Sequence, residues 1–216
     1  MTRAKLLQLC GLAGFVSGVL LILLEIAFLI TFGDQPERVA AATGMWLILL
    51  NLSLLGVYLG LLALMGLYSR QVEESGRLGL TGFLLGSLGA VMNSGYLWAG
   101  AFVVPALTSA APGFLDQVEA GPPETPGIVA VGFISTFVLL TLGWITFGIA
   151  SLQANVLPKA AIWLAMLGAL VSLVSRFTGI PLGSVLFGLG LAWLGWWLWR
   201  ENARIQRHDF IAGEIE

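Results

Sequence analysis

Long apolar runs separated by short polar segments cover almost the whole chain. A helix needs about 20 apolar residues to cross the hydrocarbon core of a bilayer, and six stretches of this sequence are long enough. We expect spanning helices at about 7–32, 44–68, 78–107, 127–153, 158–177 and 181–199. Such runs must be helical, because an open strand in lipid leaves its backbone groups unpaired. The pattern predicts an all-α polytopic membrane protein, with a six-helix transmembrane domain (1–199) and a tail (200–216).

The basic residues are distributed unevenly among the segments between the predicted spans. Eight lie in alternate segments, beginning with the N-terminus and ending with the tail: Arg3, Lys5, Arg70, Arg77, Lys159, Arg200, Arg204 and Arg207. The remaining segments hold only Arg38 and Arg176. Loops rich in Lys and Arg stay on the cytoplasmic side of a membrane. The distribution therefore predicts that both termini are cytoplasmic.

The odd-numbered spans resemble one another, which predicts an internal repeat. They align on three glycines: Gly18, Gly86 and Gly168. The alignment puts Glu25, Asn93 and Ser175 at equivalent positions. The chain would then consist of three helical hairpins in one orientation. Such a parallel repeat lacks the inverted symmetry that is common in transporters.

Pairs of glycines four residues apart occur in three of the predicted spans. They are Gly14 and Gly18, Gly56 and Gly60, and Gly82 and Gly86. Small residues at this spacing let two helix backbones approach each other closely in a membrane. Packing within one chain and dimerisation of two chains are both consistent with the pattern.

Composition agrees with a lipid-embedded chain and argues against several function classes. Of the residues, 58% are hydrophobic and 10% are charged, whereas a soluble domain usually has about 25% charged residues. The net charge of −2 favours no nucleic-acid partner. The only histidine, His208, lies in the predicted tail, the only cysteine is Cys10, and neither an HExxH nor a GxSxG motif is present. We therefore expect no enzyme, no metal site and no cofactor.

Four polar residues inside the predicted spans fall at a similar depth in the membrane. Counted from the inner ends of their spans, Glu25, Asn51, Asn93 and Arg176 lie roughly 22–27 Å deep, at about 1.5 Å per residue. A charge in the middle of a span costs about 2.5–3.5 kcal/mol on the insertion scale, and persists with a partner, a proton or water. An Arg fork suits a carboxylate in such surroundings. We predict an ion pair between Glu25 and Arg176, with the asparagines beside it.

This polar layer in the outer half of the membrane is the candidate site. Its members are Glu25, Asn51, Asn93, Ser175 and Arg176, and nearby residues that would line a pocket are Ser94, Tyr96, Trp98 and Thr178. One interpretation is structural, since buried polar groups can fix helix register and Arg176 can extend to the outer interface. The second is a pocket for a small or lipophilic ligand. The third is proton-linked chemistry at Glu25.

The general layout resembles that of many small six-span proteins of bacterial inner membranes. The resemblance is carried by the spans, the basic segments and the stretch LPKAAIWLAMLGALVSLV (157–174). The resemblance implies a bacterial plasma membrane. Because it includes no diagnostic motif, it transfers no functional residue.

Two classes of function follow as hypotheses. The first is a non-catalytic membrane protein, either an accessory subunit of a membrane complex or a binder of a lipophilic small molecule in the outer-half pocket. The alternative is a small carrier or proton-linked transporter that uses Glu25. The expected contacts are the lipid bilayer and either another membrane protein or a second copy of this chain.

Overall fold

The fold is known from a computed structural model that describes residues 2–33, 35, 37–110, 127–178 and 182–213. Within these residues the chain is all α-helical and has no strand. The helices are α1 (Arg3–Phe32), α2 (Glu37–Ala41), α3 (Gly44–Ala110), α4 (Ile128–Ala154), α5 (Lys159–Thr178) and α6 (Leu182–Gly213). The short helix α2 lies in a segment that the hydrophobic pattern leaves without regular structure.

Several of these helices are long and apolar enough for a membrane. Four described stretches can cross a bilayer by length and composition: Arg3–Phe32, Gly44–Ala110, Val131–Ala154 and Leu182–Ala203. The apolar part of α5, Lys159–Ser175, is shorter. Helices of this kind indicate a membrane-embedded protein.

Helix α3 reverses direction at Gly76. Its 67 residues would extend over roughly 100 Å if they were straight, at about 1.5 Å per residue. Gly76 instead has non-helical angles, φ 54° and ψ −150°. Glycine adopts a positive φ without the clash that a Cβ atom would cause. The reversal therefore needs one residue, where the sequence pattern predicted a connecting segment over 69–78.

Contacts on either side of Gly76 show that the two halves of α3, 44–75 and 77–110, run antiparallel. The Nε1 atom of Trp46 donates a hydrogen bond of 2.9 Å to the Gly100 carbonyl oxygen near the open end of the hairpin. Close to the reversal, the rings of Tyr68 and Phe83 stack 4.7 Å apart. The two halves match the apolar runs predicted as the second and third spans.

The long helical segments form a ring in which each packs mainly against two neighbours. Around the ring, 44–75 is followed by α1, α6, α5, α4 and 77–110, which returns to 44–75. Neighbours run antiparallel: Gly11 of α1 lies beside Trp199 of α6, and Gly18 lies beside Gly188. The ring encloses an interior that side chains fill at one end and leave open at the other.

Four parts of the chain meet at one end of the ring, called the basic end. They are the start of α1, the reversal in α3, the junction of α4 and α5, and the part of α6 that follows its tryptophans. The contacts that join them are Arg3 Nη2 to the Ser69 carbonyl oxygen (3.1 Å), Arg70 to the Glu201 carboxylate (2.9 and 3.2 Å), and Gln71 Nε2 to Ser151 Oγ (2.8 Å). These are the segments that hold most of the basic residues in the sequence.

Glycines make the closest contacts between helix backbones. A Cβ atom on Gly143 of α4 would collide with the backbone of Gly86, and one on Gly18 of α1 would collide with Gly188 of α6. Gly168 of α5 approaches α6 as closely. Two of the glycines that align the predicted repeat thus contact the second helix of their own hairpin, whereas Gly18 contacts α6. All these contacts lie within one chain.

Large side chains fill the ring near the basic end. Leu67, Phe147, Leu194 and Leu198 lie in one hydrophobic core there, and each is at most 2% exposed. The core extends as far as Trp144. This part of the ring is called the packed half.

Candidate functional site

The other part of the ring, called the hollow half, encloses a cavity of about 410 Å³. All six segments of the ring contribute lining residues. Along α1 these run from Ser17 to Phe28, a length of roughly 16 Å at about 1.5 Å per residue. Leu64 and Leu191 of the core close the cavity towards the basic end, and Trp46 lies at the opposite end.

Small side chains account for the empty space. The lining includes Ser17, Ser53, Gly56, Gly60, Gly86, Ala90, Ala169, Ser172 and Ser184. In the packed half, Leu67 and Leu198 fill the interior on two of the same segments. Protein interiors normally leave few voids larger than a water molecule. The cavity is therefore a property of these particular residues and not of the ring itself.

Aromatic rings form much of the cavity wall. They belong to Phe28, Trp46, Tyr96, Phe137, Trp144 and Phe187. The rings of Trp144 and Phe187 meet edge to face at 4.9 Å, which fixes their positions at the deep end. Edge-to-face pairs of this kind contribute about 0.5–1.5 kcal/mol beyond the area they bury.

Trp46 is held firmly at the far end of the cavity. Besides its hydrogen bond to Gly100, its ring contacts Phe28 at 5.8 Å and Phe32 at 5.7 Å. The same cluster includes Ala40 of α2, which is 1% exposed. Helix α2 and these aromatic rings thus cover this end of α1 and α3.

Three hydroxyl groups in the wall, on Ser17, Ser53 and Thr141, are already hydrogen-bonded to helix carbonyl groups. Ser17 Oγ donates to the Gly56 carbonyl oxygen at 2.8 Å, which links α1 to α3. Thr141 Oγ1 donates to the Ala169 carbonyl oxygen at 3.3 Å, which links α4 to α5. Ser53 donates within its own helix. These groups hold the wall together and offer little to a ligand.

Glu25 and Asn93 are different, because they line the cavity without a partner among the residues that the structure describes. Both side chains are half-buried. Among the described residues, none forms a hydrogen bond or ion pair with either side chain. An ionised carboxylate accepts hydrogen bonds only, and an amide both donates and accepts. Within the described part of the chain, the cavity therefore presents two unpaired polar groups in a largely apolar wall.

The other residues of the predicted site are distributed over several faces. Tyr96 lines the cavity, whereas Asn51 is exposed and its Nδ2 atom donates to the Leu47 carbonyl oxygen at 2.8 Å. Trp98 is 53% exposed and does not line the cavity. The reason is rotational: successive residues of a helix point about 100° apart, so equal depth does not give equal direction.

Two of the remaining predicted residues lie outside the cavity lining, and the side chains of the other two lie outside the described part of the chain. Ser94 Oγ donates to the Val91 carbonyl oxygen at 2.7 Å and is outside the lining, and half-buried Ser175 is also outside it. The side chains of Arg176 and Thr178 lie outside the described residues. The predicted Glu25–Arg176 pair therefore remains a prediction.

Sequence reasoning missed the apolar and aromatic wall contributed by α4 and α6. Trp144 and Phe187 lie in apolar runs, and nothing in the sequence distinguishes them from the other apolar residues there. One signal was present: Gly56 and Gly60, taken as a packing pair, both line the cavity. Small residues one turn apart inside a span indicate space for a ligand as well as close helix packing.

No family model matches the chain, and no curated protein and no solved structure matches it. Among the described residues, no group of three or more His, Cys, Asp or Glu side chains is arranged to hold a metal ion.

Proposed function

We propose that the protein crosses the membrane six times, as three hairpins, with both termini in the cytoplasm of a bacterial cell. Support comes from the antiparallel ring, in which α3 contributes two segments and α1, α4, α5 and α6 one each. Further support is the meeting of the basic segments at one end, since such segments stay in the cytoplasm. In this orientation the cavity lies in the outer half of the membrane.

Two single-cysteine variants test this orientation in a Cys10→Ser background. Thr43→Cys and Glu73→Cys replace exposed residues at opposite ends of the ring. A membrane-impermeant maleimide added to intact cells should modify the cysteine at 43 and not the one at 73. The reverse labelling would show that the basic end faces outwards.

We propose that this protein binds a lipophilic small molecule in the cavity and is not an enzyme. The observation that carries this function is a mostly apolar cavity with two polar side chains in its wall, Glu25 and Asn93, that have no partner among the described residues. Its volume of about 410 Å³ falls within the range of about 300–1,000 Å³ that is usual for small-molecule sites. Apolar walls with a few polar groups are typical of such sites. An accessory subunit without a ligand has no need of such a space.

A carrier is the second candidate, and Glu25 favours it. A carboxylate in a membrane cavity can take up a proton or a cation and release it again. In vesicles, a proton-linked carrier would move protons when its ligand is added, and Glu25→Gln would abolish that movement. A binding protein would take up the ligand without moving protons.

Native mass spectrometry of the protein released gently from its own membrane tests the binding function. The wild type should carry a discrete small mass. Leu21→Trp adds an indole to the cavity wall, whereas Leu23→Trp places the same group on an outward position that is 58% exposed. The small mass should disappear from the first variant and remain on the second.

Other outcomes of that experiment contradict the proposal. A small mass that is equally abundant on both variants would show that the ligand binds elsewhere. Additional protein subunits in place of a small mass would identify an accessory component of a larger complex.

A further inference from the structure

The charge of the cavity wall depends on one side chain among the described lining residues. Glu25 is the only carboxylate there, and no described lining residue is Lys, Arg or His. A charge in such surroundings is unfavourable unless a partner or water compensates for it. Within the described residues the protein supplies no such partner, so a bound molecule with a positive charge would complete the site.

The aromatic rings near Glu25 favour the same kind of group. Phe28 is three residues further along α1, so the two side chains share one face of the helix, and both line the cavity. Trp46 contacts Phe28 edge to face and is fixed by its hydrogen bond to Gly100. Cations bind favourably over aromatic rings, and most strongly over Trp. A carboxylate beside Phe and Trp is therefore a suitable environment for an ammonium group.

The deep end of the cavity has the opposite character. Leu64, Leu191, Trp144 and Phe187 line it, and the neighbouring hydroxyl of Thr141 already donates to a carbonyl group. Hydrocarbon or an aromatic group fits these walls, because a polar group there would lose its hydrogen bonds to water. The lining of α1 continues from Glu25 towards the basic end as far as Ser17, roughly 12 Å at about 1.5 Å per residue.

We infer that the cavity binds an amphiphilic amine, with its protonated amino group at Glu25 and its apolar body directed towards Trp144 and Phe187. Asn93 supplies a further polar contact for a donor or acceptor near the amine. An amphiphilic carboxylate is excluded from this arrangement because it would meet the charge of Glu25. This inference rests on the binding function proposed above and names the class of its ligand.

Three photoactivatable probes with the same apolar chain test the inference. One ends in a primary amine, one in an alcohol and one in a carboxylate, and each carries a diazirine at the far end of the chain. The protein is labelled in lipid nanodiscs at neutral pH, with the three probes at equal concentration in the membrane. Mass spectrometry of the peptides measures labelling of the segments around Trp144 and Phe187.

The amine probe should label these segments at least about tenfold more than the carboxylate probe. A hydrogen bond to a charged group is worth enough to change affinity by about 10- to 100-fold. Glu25→Gln should therefore reduce amine labelling by about that factor and leave alcohol labelling unchanged. Glu73→Gln, an exposed position at the basic end, should change neither. Unchanged alcohol labelling also shows that the Glu25 variant is folded.

Three results would overturn the inference. If amine and alcohol label the cavity equally in the wild type and in Glu25→Gln, the site binds neutral amphiphiles, and the binding function stands without the amine. If no probe labels the cavity, the binding function fails as well. If the amine labels the cavity only in Arg176→Gln, Glu25 is occupied by an internal partner in the native protein.

Nanodiscs with and without phosphatidylethanolamine distinguish two sources of the amine. Competition by this lipid with the amine probe would identify an aminolipid headgroup. Amine labelling that is unaffected by the lipid would identify a free amphiphilic amine.

Discussion

The packed half and the hollow half are built from the same helices, yet they differ in how the interior is filled and in whether the polar groups have partners. In the packed half, Leu67 and Leu198 fill the interior, and Arg70 is paired with Glu201. In the hollow half, small residues leave a cavity, and Glu25 has no partner among the described residues. The difference lies in side-chain size along each helix, because the backbones continue from one half into the other.

The two halves have different roles, one in fixing the geometry of the ring and the other in forming the cavity. Close packing and paired charges near the basic end give the ring a fixed geometry. Binding groups are most effective when the surrounding structure fixes their positions. The hollow half can therefore keep free polar groups and empty volume, because the packed half and the cluster around Trp46 hold its walls at both ends.

The largest expected effect comes from breaking a backbone contact in the wall shared by both halves. Gly143→Val should prevent folding, because its side chain would enter the backbone of Gly86. Gly132→Val is the matched control on the same helix, since a Cβ atom there meets nothing within 4 Å. The yield of monodisperse protein on size-exclusion chromatography measures the effect. Equal yields of the two variants would show that the close contact of α3 and α4 is not required.

A medium effect is expected from the same truncation made once in each half. Leu198→Ala removes a side chain that is 0% exposed and should lower the free energy of unfolding by about 2–5 kcal/mol. Leu97→Ala enlarges an existing cavity, so it loses fewer contacts and should cost less than half as much. Unfolding by SDS titration in mixed micelles compares the two variants. Equal losses would mean that the hollow half is filled in solution.

The smallest effect concerns the ion pair that distinguishes the two halves. Arg70 and Glu201 are joined by two hydrogen bonds, but their side chains remain 32% and 27% exposed. A double-mutant cycle with Arg70→Gln and Glu201→Gln should give a coupling energy of about 0.5–1 kcal/mol. The coupling should weaken in about 1 M salt, where the screening length is about 3 Å. Additive single variants at low salt would show that the pair adds nothing to stability.

Much of the fold follows from the sequence because lipid leaves the backbone few choices. Apolar runs of this length must be helical, and a glycine between two of them provides the reversal at Gly76. The meeting of the basic segments at one end follows from the alternation of charge along the chain. The order of helices around the ring does not follow, because it depends on which glycine face packs against which neighbour. Gly18 contacts α6 although the repeat suggests its own hairpin partner.

The site is only partly predictable for a related reason. Depth along the helix axis associates Glu25 with Asn93, and both residues line the cavity, as does Tyr96, which lies close to Asn93 in the sequence. Depth gives no rotation about the helix axis, so Asn51 shares the depth of this layer but is exposed and does not line the cavity. Closeness in sequence has the same shortcoming for Trp98, which is exposed as well. The cavity exists because small residues leave the interior unfilled, and these residues are distributed over several segments. Their common direction appears only in three dimensions.

The contact between α1 and α6 has a consequence for how the protein is made. The ribosome delivers α1 first and α6 last among these helices, yet Gly11 and Gly18 of α1 pack against α6. Until α6 is inserted, this glycine face of α1 is therefore in contact with lipid or with the insertion machinery. The wall of the cavity is therefore completed only when α6 is inserted. A nascent chain stalled before α6 would present an open ring, a state that quality-control proteases can recognise.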